Sequence, residues 1–294
     1  MSNKKNRATT IVLVIVFLVG LSVMLYPAVS DWWNTRLQSR VVAAYQKAAN
    51  KLDDKKEKEL IERAREYNEK LARLSAPLLD YESVPDYDKI LNITGTGVMG
   101  IINIPQIGVE LPVYHGTSEG VLNVAVGHLQ GSSLPVGGKG THAVISAHRG
   151  LPSAKLFTDL DKLVEGDEFT ITVLKEVYTY EVEEISIVLP DDTKKLAIDP
   201  DRDLVTLMTC TPYGINTHRL LVTAHRSGTG YIDENGPVKV PPDAVMLDTM
   251  TVVPFIAALP VAGLLGWWLF GGKKKKRFPH KDPLSVLESD KDKS

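Results

Sequence analysis

A mainly β domain closed into a barrel, preceded by a helical segment and flanked by two membrane-crossing helices, is the fold this sequence predicts. Three observations carry the expectation. Short apolar–polar alternating segments separated by Gly, Pro and Asp recur through residues 98–224, as they do in barrels built of many short strands. Two long apolar runs, Ile11 to Tyr26 and Met250 to Phe270, contain no charged residue. Each has basic residues at its distal end, Lys4, Lys5 and Arg7 before the first and Lys273 to Arg277 after the second.

The elements follow in order. Residues 1–8 are read as a cytoplasmic tail and 9–29 as a transmembrane helix, a span of the length a bilayer needs. A cleaved signal peptide is the competing reading. The run, however, exits through Tyr26, Pro27 and Trp32–Trp33 without an obvious small-residue cleavage site, and tryptophans at that place fit an interfacial belt. Residues 30–75 read as an external helical segment. Ile61, Ala64, Tyr67, Leu71 and Leu74 recur every three or four positions and make one apolar stripe. Asp53–Asp54 marks a break between two helices, with Asp as N-cap. Residues 76–91, with Pro77, Pro85 and scattered Asp and Tyr, read as a loop.

Residues 92–227 are expected to form the barrel. Gly100–Pro105 and Val109–Tyr114 read as strands about a turn at Gln106–Gly108, and Ala143–Ser146 as another. Ala154–Leu160 reads as a short helix. Phe169–Val173 and Val177–Ile187 alternate as half-buried strands do. Residues 228–248 read as a linker, 249–271 as a second transmembrane helix and 272–294 as a basic cytoplasmic tail. Two spans with both basic ends inside place everything between them outside the cell.

The chain has 294 residues, a formal charge of −2 and one cysteine. Near-neutral charge gives no reason to expect nucleic-acid binding. A single cysteine excludes an internal disulfide framework and any multi-cysteine metal site. That cysteine, Cys210, ends the apolar, β-branched run Leu204–Thr209. A Pro212–Tyr213–Gly214 loop follows, and Arg219–Ala224 reads as the returning strand. If the strands pair, a thiol and a guanidinium meet at one end of a sheet. A neighbouring cation favours the thiolate, which is the nucleophilic form, and arginine's fork of donors can hold an oxyanion. A proton shuttle is then needed, and His148, where the strand Ala143–Ser146 opens towards Gly150, is the best placed of the seven histidines. His115 and His128, beside glycines, are expected in turns. No compact cluster has metal-ligand spacing, and Gly137–Thr141 lacks the full phosphate-loop pattern.

Thr206–Leu207–Met208–Thr209–Cys210, with Arg219 downstream and His148–Arg149–Gly150 upstream, resembles the sortase signature. The longer stretches Thr211–Arg219 and Ser132–His142 are similar to its class C, pilin-polymerising branch, and the resemblance runs from about Asn92 to Arg226. It implies a sortase-type barrel and a membrane-anchored cysteine transpeptidase. Cys210 would attack the Thr–Gly bond of a Leu-Pro-x-Thr-Gly-like sorting signal, His148 would transfer protons and Arg219 would steady the oxyanion. A lysine amine of a pilin subunit would then resolve the thioacyl enzyme, with no metal or organic cofactor. Leu207 and Thr209 are expected at the substrate. Class C members carry a lid with an Asp-Pro-aromatic motif. Asp80 and Tyr81 are its candidates here, although this chain lacks the intervening proline. The implied partners are pilin subunits bearing sorting signals and the lipid bilayer. Rival readings are a wall-anchoring sortase that uses a cell-wall precursor amine, a hydrolytic cysteine protease and a non-enzymatic pilus scaffold.

Overall fold

The computed structural model describes residues 2–231. The apolar run at 249–271, the linker past 231 and the basic tail lie outside the described residues.

Eight strands close a barrel: β1 (Val98–Ile104), β2 (Val109–His115), β3 (Val126–His128), β4 (Thr141–Ser146), β5 (Glu168–Val173), β6 (Glu176–Val188), β7 (Asp203–Thr211) and β8 (His218–Tyr231). They run around the wall in the order β1-β2-β3-β4-β7-β8-β6-β5, and β5 pairs back onto β1. Alternation sets which side chains enter the barrel. Phe169, Ile171 and Val173 of β5 are buried, as are Tyr178, Tyr180 and Val182 of β6. Phe169 opposes Tyr180 in the ladder, and their rings stack with centroids 5.8 Å apart. Strands β4 and β7 are parallel, from Thr141–Asp203 to Ser146–Met208. Parallel strands covered on both faces read as continuous apolar runs, and Leu204 to Leu207 are all buried.

One helix, α1 (Ser2–Ala49), carries the first apolar run and continues without a break onto the barrel. It is long and apolar enough to cross a membrane. Its far end is fixed by Val42 and Tyr45, which pack on Val98 and Ile101 of β1. The Tyr45 hydroxyl donates to Met99 O (2.8 Å) and accepts from Leu174 N–H (3.0 Å). A second helix, α2 (Asp54–Ala72), starts where the sequence places it: the Asp53 side chain accepts from Lys56 N–H at 2.7 Å. Ile61, Ala64, Tyr67 and Leu71 are buried against the barrel, with Leu74 partly so. Each fully buried large apolar side chain of that stripe contributes about 1.5–3 kcal/mol.

Four local readings need correction. Residues 76–91 are not a plain loop. They form a short helix, α3 (Pro77–Asp80), and two 3-10 turns, and they bury Val84, Tyr87, Ile90 and Leu91. Residues 154–160 form turns rather than a helix. Leu156 has φ +41°, which a right-handed helix cannot accommodate, and Ala154 bridges back to Leu151. Strand β8 runs on to Tyr231, into the stretch expected as linker, because the long β6 supplies partners as far as Glu176. His128 is fully buried in β3 rather than in a turn.

The surroundings of His128 define a pH dependence. Its Nε2 lies 2.8 Å from Ser133 O, and since a carbonyl only accepts, Nε2 carries the proton. Nδ1 then accepts from the Tyr87 hydroxyl at 2.9 Å. Burial holds the imidazole neutral, pushing its pKa down to about 4. Between pH 6.5 and about 4 the unfolded chain therefore binds a proton that the folded chain refuses. Stability is full above pH 6.5 and falls as pH drops through that window, by up to roughly 3 kcal/mol. Chemical denaturation at pH 7.5 and pH 4.5 should show this loss, and His128→Gln should flatten it.

Candidate active site

The thiol sits one residue from the end of β7, on a half-buried position. Cys210 and Arg219 are directly opposed in the antiparallel β7–β8 ladder. Opposed residues share a face with Cβ atoms about 5 Å apart, so the two side chains leave the sheet on the same side. The cis Thr211–Pro212 bond and Gly214, at φ +74°, turn the chain between the two strands. Arg219 Nη1 donates to His218 O (3.2 Å) and Asn216 O (3.4 Å), which holds the side chain over its own turn.

His148 follows β4 on the other side of β7. The parallel ladder ends at Ser146–Met208, and Ala147 N–H still donates to Met208 O at 3.2 Å. Two steps along each strand from that last pair stand His148 and Cys210. Cys210 shares the face of Met208 on β7, and His148 lies two residues past the end of β4. Cys210, His148 and Arg219 thus stand at or just past the ends of three adjacent strands, β7, β4 and β8.

The two residues expected at the substrate are turned the other way. Leu207 and Thr209 alternate with Met208 and Cys210, and both are buried on the interior face. Thr209 instead ties β7 to the histidine strand, its hydroxyl donating to Ala147 O at 2.8 Å. Met208 faces a cleft of about 360 Å³, lined also by Leu78, Tyr81, Leu129, Leu196 and Arg219. Of the lid candidates, Tyr81 borders this cleft and Asp80 is exposed. The 77–81 segment is seated on Gly131, which has φ +94°. A Cβ there would stand 2.9 Å from Leu78 Cα and Pro77 O, so only glycine lets the segment sit this close. A larger cleft, about 780 Å³, opens between α2 and the 137–141 and 193–200 segments, and none of Cys210, His148 or Arg219 borders it.

Arg149, next to His148, links the two loops that flank the thiol. Its side chain is 9% exposed and makes an ion pair with Asp161 at 2.5 Å. It donates to the Thr211 hydroxyl (3.3 Å) and lies over the Tyr213 ring, 6.0 Å from its centroid. The Tyr213 ring in turn packs on Gly150, φ +79°, where a Cβ would come within 2.9 Å of Cε2. Arg149 therefore braces the loop after His148 against the turn after Cys210. A long cation between a buried strand and a glycine was the available signal.

The comparisons with known proteins agree on one family. The sortase domain model matches residues 102–227. Sortase A of Bacillus anthracis is 28% identical over 225 residues, covering 76% of this chain and 97% of that protein. Among solved structures, sortase C1 from Streptococcus agalactiae is 48% identical with a TM-score of 0.59, covering 64% of this chain and 98% of that one. Clostridium perfringens sortase C, solved with the C-terminal cell wall sorting motif, is 41% identical with a TM-score of 0.56, covering 65% of this chain and 99% of that one.

Proposed function

This chain belongs to the sortase family, in its class C branch, and on that footing we propose that it polymerises pilin subunits at the outer face of the membrane. Membership makes it a cysteine transpeptidase. The observation that carries the assignment of residues is the opposed pair Cys210–Arg219, with His148 at the neighbouring strand end.

The chemistry follows from that arrangement. The Cys210 thiolate attacks the threonine carbonyl carbon of a Leu-Pro-x-Thr-Gly-like signal. The carbonyl oxygen takes up the negative charge, and the Arg219 fork holds it. Collapse breaks the C–N bond, and His148 gives its proton to the departing glycine amine. The thioacyl enzyme that remains is the product of the first half of a two-step substitution. A pilin lysine amine, losing a proton to His148, attacks the thioester. An isopeptide bond forms, the C–S bond breaks and the thiolate returns. The apolar floor of the cleft at Met208, Leu129 and Leu196 suits the Leu-Pro end of the signal. Leu78 and Tyr81 would cover it as a lid.

The anchor is α1, and a second span at 249–271 would return the chain to the cytoplasm. Purified full-length enzyme mixed with pilin should give a ladder of covalent multimers on a denaturing gel. A single adduct formed only with a cell-wall precursor amine would instead establish the wall-anchoring alternative. Hydrolysis indifferent to added amine would establish a protease.

A further inference from the structure

The anchor helix does more than reach the barrel. Asp31, Asn34 and Gln38 are spaced to fall on one face of α1, and each bonds a backbone atom of the barrel's loops. Lys155 N–H donates to Asp31 Oδ1 at 2.8 Å, and Asn34 Nδ2 donates to Ser153 O at 2.7 Å. Gln38 Nε2 donates to Val124 O. The first two grip the chain on either side of Ala154, which is buried. That segment belongs to the loop that leaves His148, and Phe157 N–H donates back to His148 O at 3.2 Å. Within the loop Gly150 N–H donates to the Thr158 hydroxyl at 3.2 Å, and Lys155 Nζ pairs with Asp159 and donates to Ile107 O. A short chain of backbone contacts thus runs from the helix to the histidine. It starts beside Trp32 and Trp33, both more than half exposed, where the apolar run ends. A simple tether would need no fixed bonds to a loop, least of all to this one.

We propose that Asp31 and Asn34 are positioning residues for His148: by clamping the backbone at Ser153 and Lys155 they hold the imidazole in register with the thiol, so that the membrane helix sets the efficiency of proton transfer. The proposal rests on the proton-transfer role assigned to His148 above. Loosening the loop leaves the cleft, and so substrate binding, as it was. It misplaces the group that protonates the leaving amine, so the loss falls on kcat.

The test uses the full chain in lipid nanodiscs with a sorting-signal peptide and an amine acceptor. Asp31→Ala removes an acceptor, and Asn34→Asp removes a donor while keeping the shape. Each should lower kcat about tenfold with KM changed less than about twofold. Amide exchange should accelerate in residues 149–157 and not in the strands. Asp31→Asn, which keeps an acceptor oxygen, should recover most of the loss. Unchanged kcat in Asp31→Ala and Asn34→Asp overturns the proposal, and so does a loss of kcat accompanied by faster exchange throughout the barrel. His148→Gln is assayed alongside. If it keeps its turnover, the reading of the site fails. If it is inactive while the helix variants turn over normally, the clamp alone fails.

Discussion

Full-length protein carrying Cys210→Ala is expected to form no covalent adduct with a sorting-signal peptide, and its transpeptidation should fall by at least about 10⁴-fold. The reason is the covalent step itself. With the sulfur gone there is no thioacyl intermediate, and the neighbouring hydroxyls on β7 do not replace it: Thr209 and Thr211 are buried, and the Thr209 hydroxyl is committed to Ala147 O. The variant should fold normally, because Cys210 is half-buried and the barrel interior is filled by its alternating neighbours. Mass spectrometry after incubation with the peptide gives the answer directly. An adduct on the alanine variant would remove Cys210 from the chemistry.

Arg219→Lys should cost on the order of 10²–10³ in the rate of acylation, the usual effect of losing one preorganised oxyanion donor. The charge is conserved, so the loss comes from geometry. Guanidinium is a planar fork held over the turn by His218 O and Asn216 O. An ammonium is a point charge on a longer leash, with no second donor in a fixed plane. Single-turnover acylation followed by quenching separates this step from resolution by the acceptor amine. A lysine variant within threefold of the wild type would show that the guanidinium does not hold the oxyanion.

The parts of the protein that could be read from sequence are those whose signals are local. Strands β5 and β6 alternate over enough residues to be unambiguous, and the β7–β8 hairpin joins Cys210 to Arg219 through a turn marked by Pro212 and Gly214. Asp53 announces α2 through its own side chain. What could not be read depends on distant contacts. Strand β3 is three residues long, too short to show a period, and its burial of His128 is made by Tyr87 and Ser133. The 154–160 stretch has helical composition, yet tertiary packing of Leu156 and Phe157 overrides it. The inward turn of Leu207 and Thr209 follows from the same alternation that turns Cys210 outward. The nearness of His148 needs the parallel pairing of β4 with β7, which no local pattern announces. The grip of Asp31 and Asn34 on residues 153–155 is equally invisible along the chain.

Closure of the wall by β5 on β1 has a further consequence. An enzyme that handles extended tails in a crowd of its own substrates is exposed to the hazard of capturing them as an extra strand, since unpaired sheet margins template such additions. Closure removes that margin where β5 meets β1, while β6 beyond Glu181 pairs only with β8. Along the closed part of the wall an extended chain meets side chains and groove shape rather than free main-chain groups.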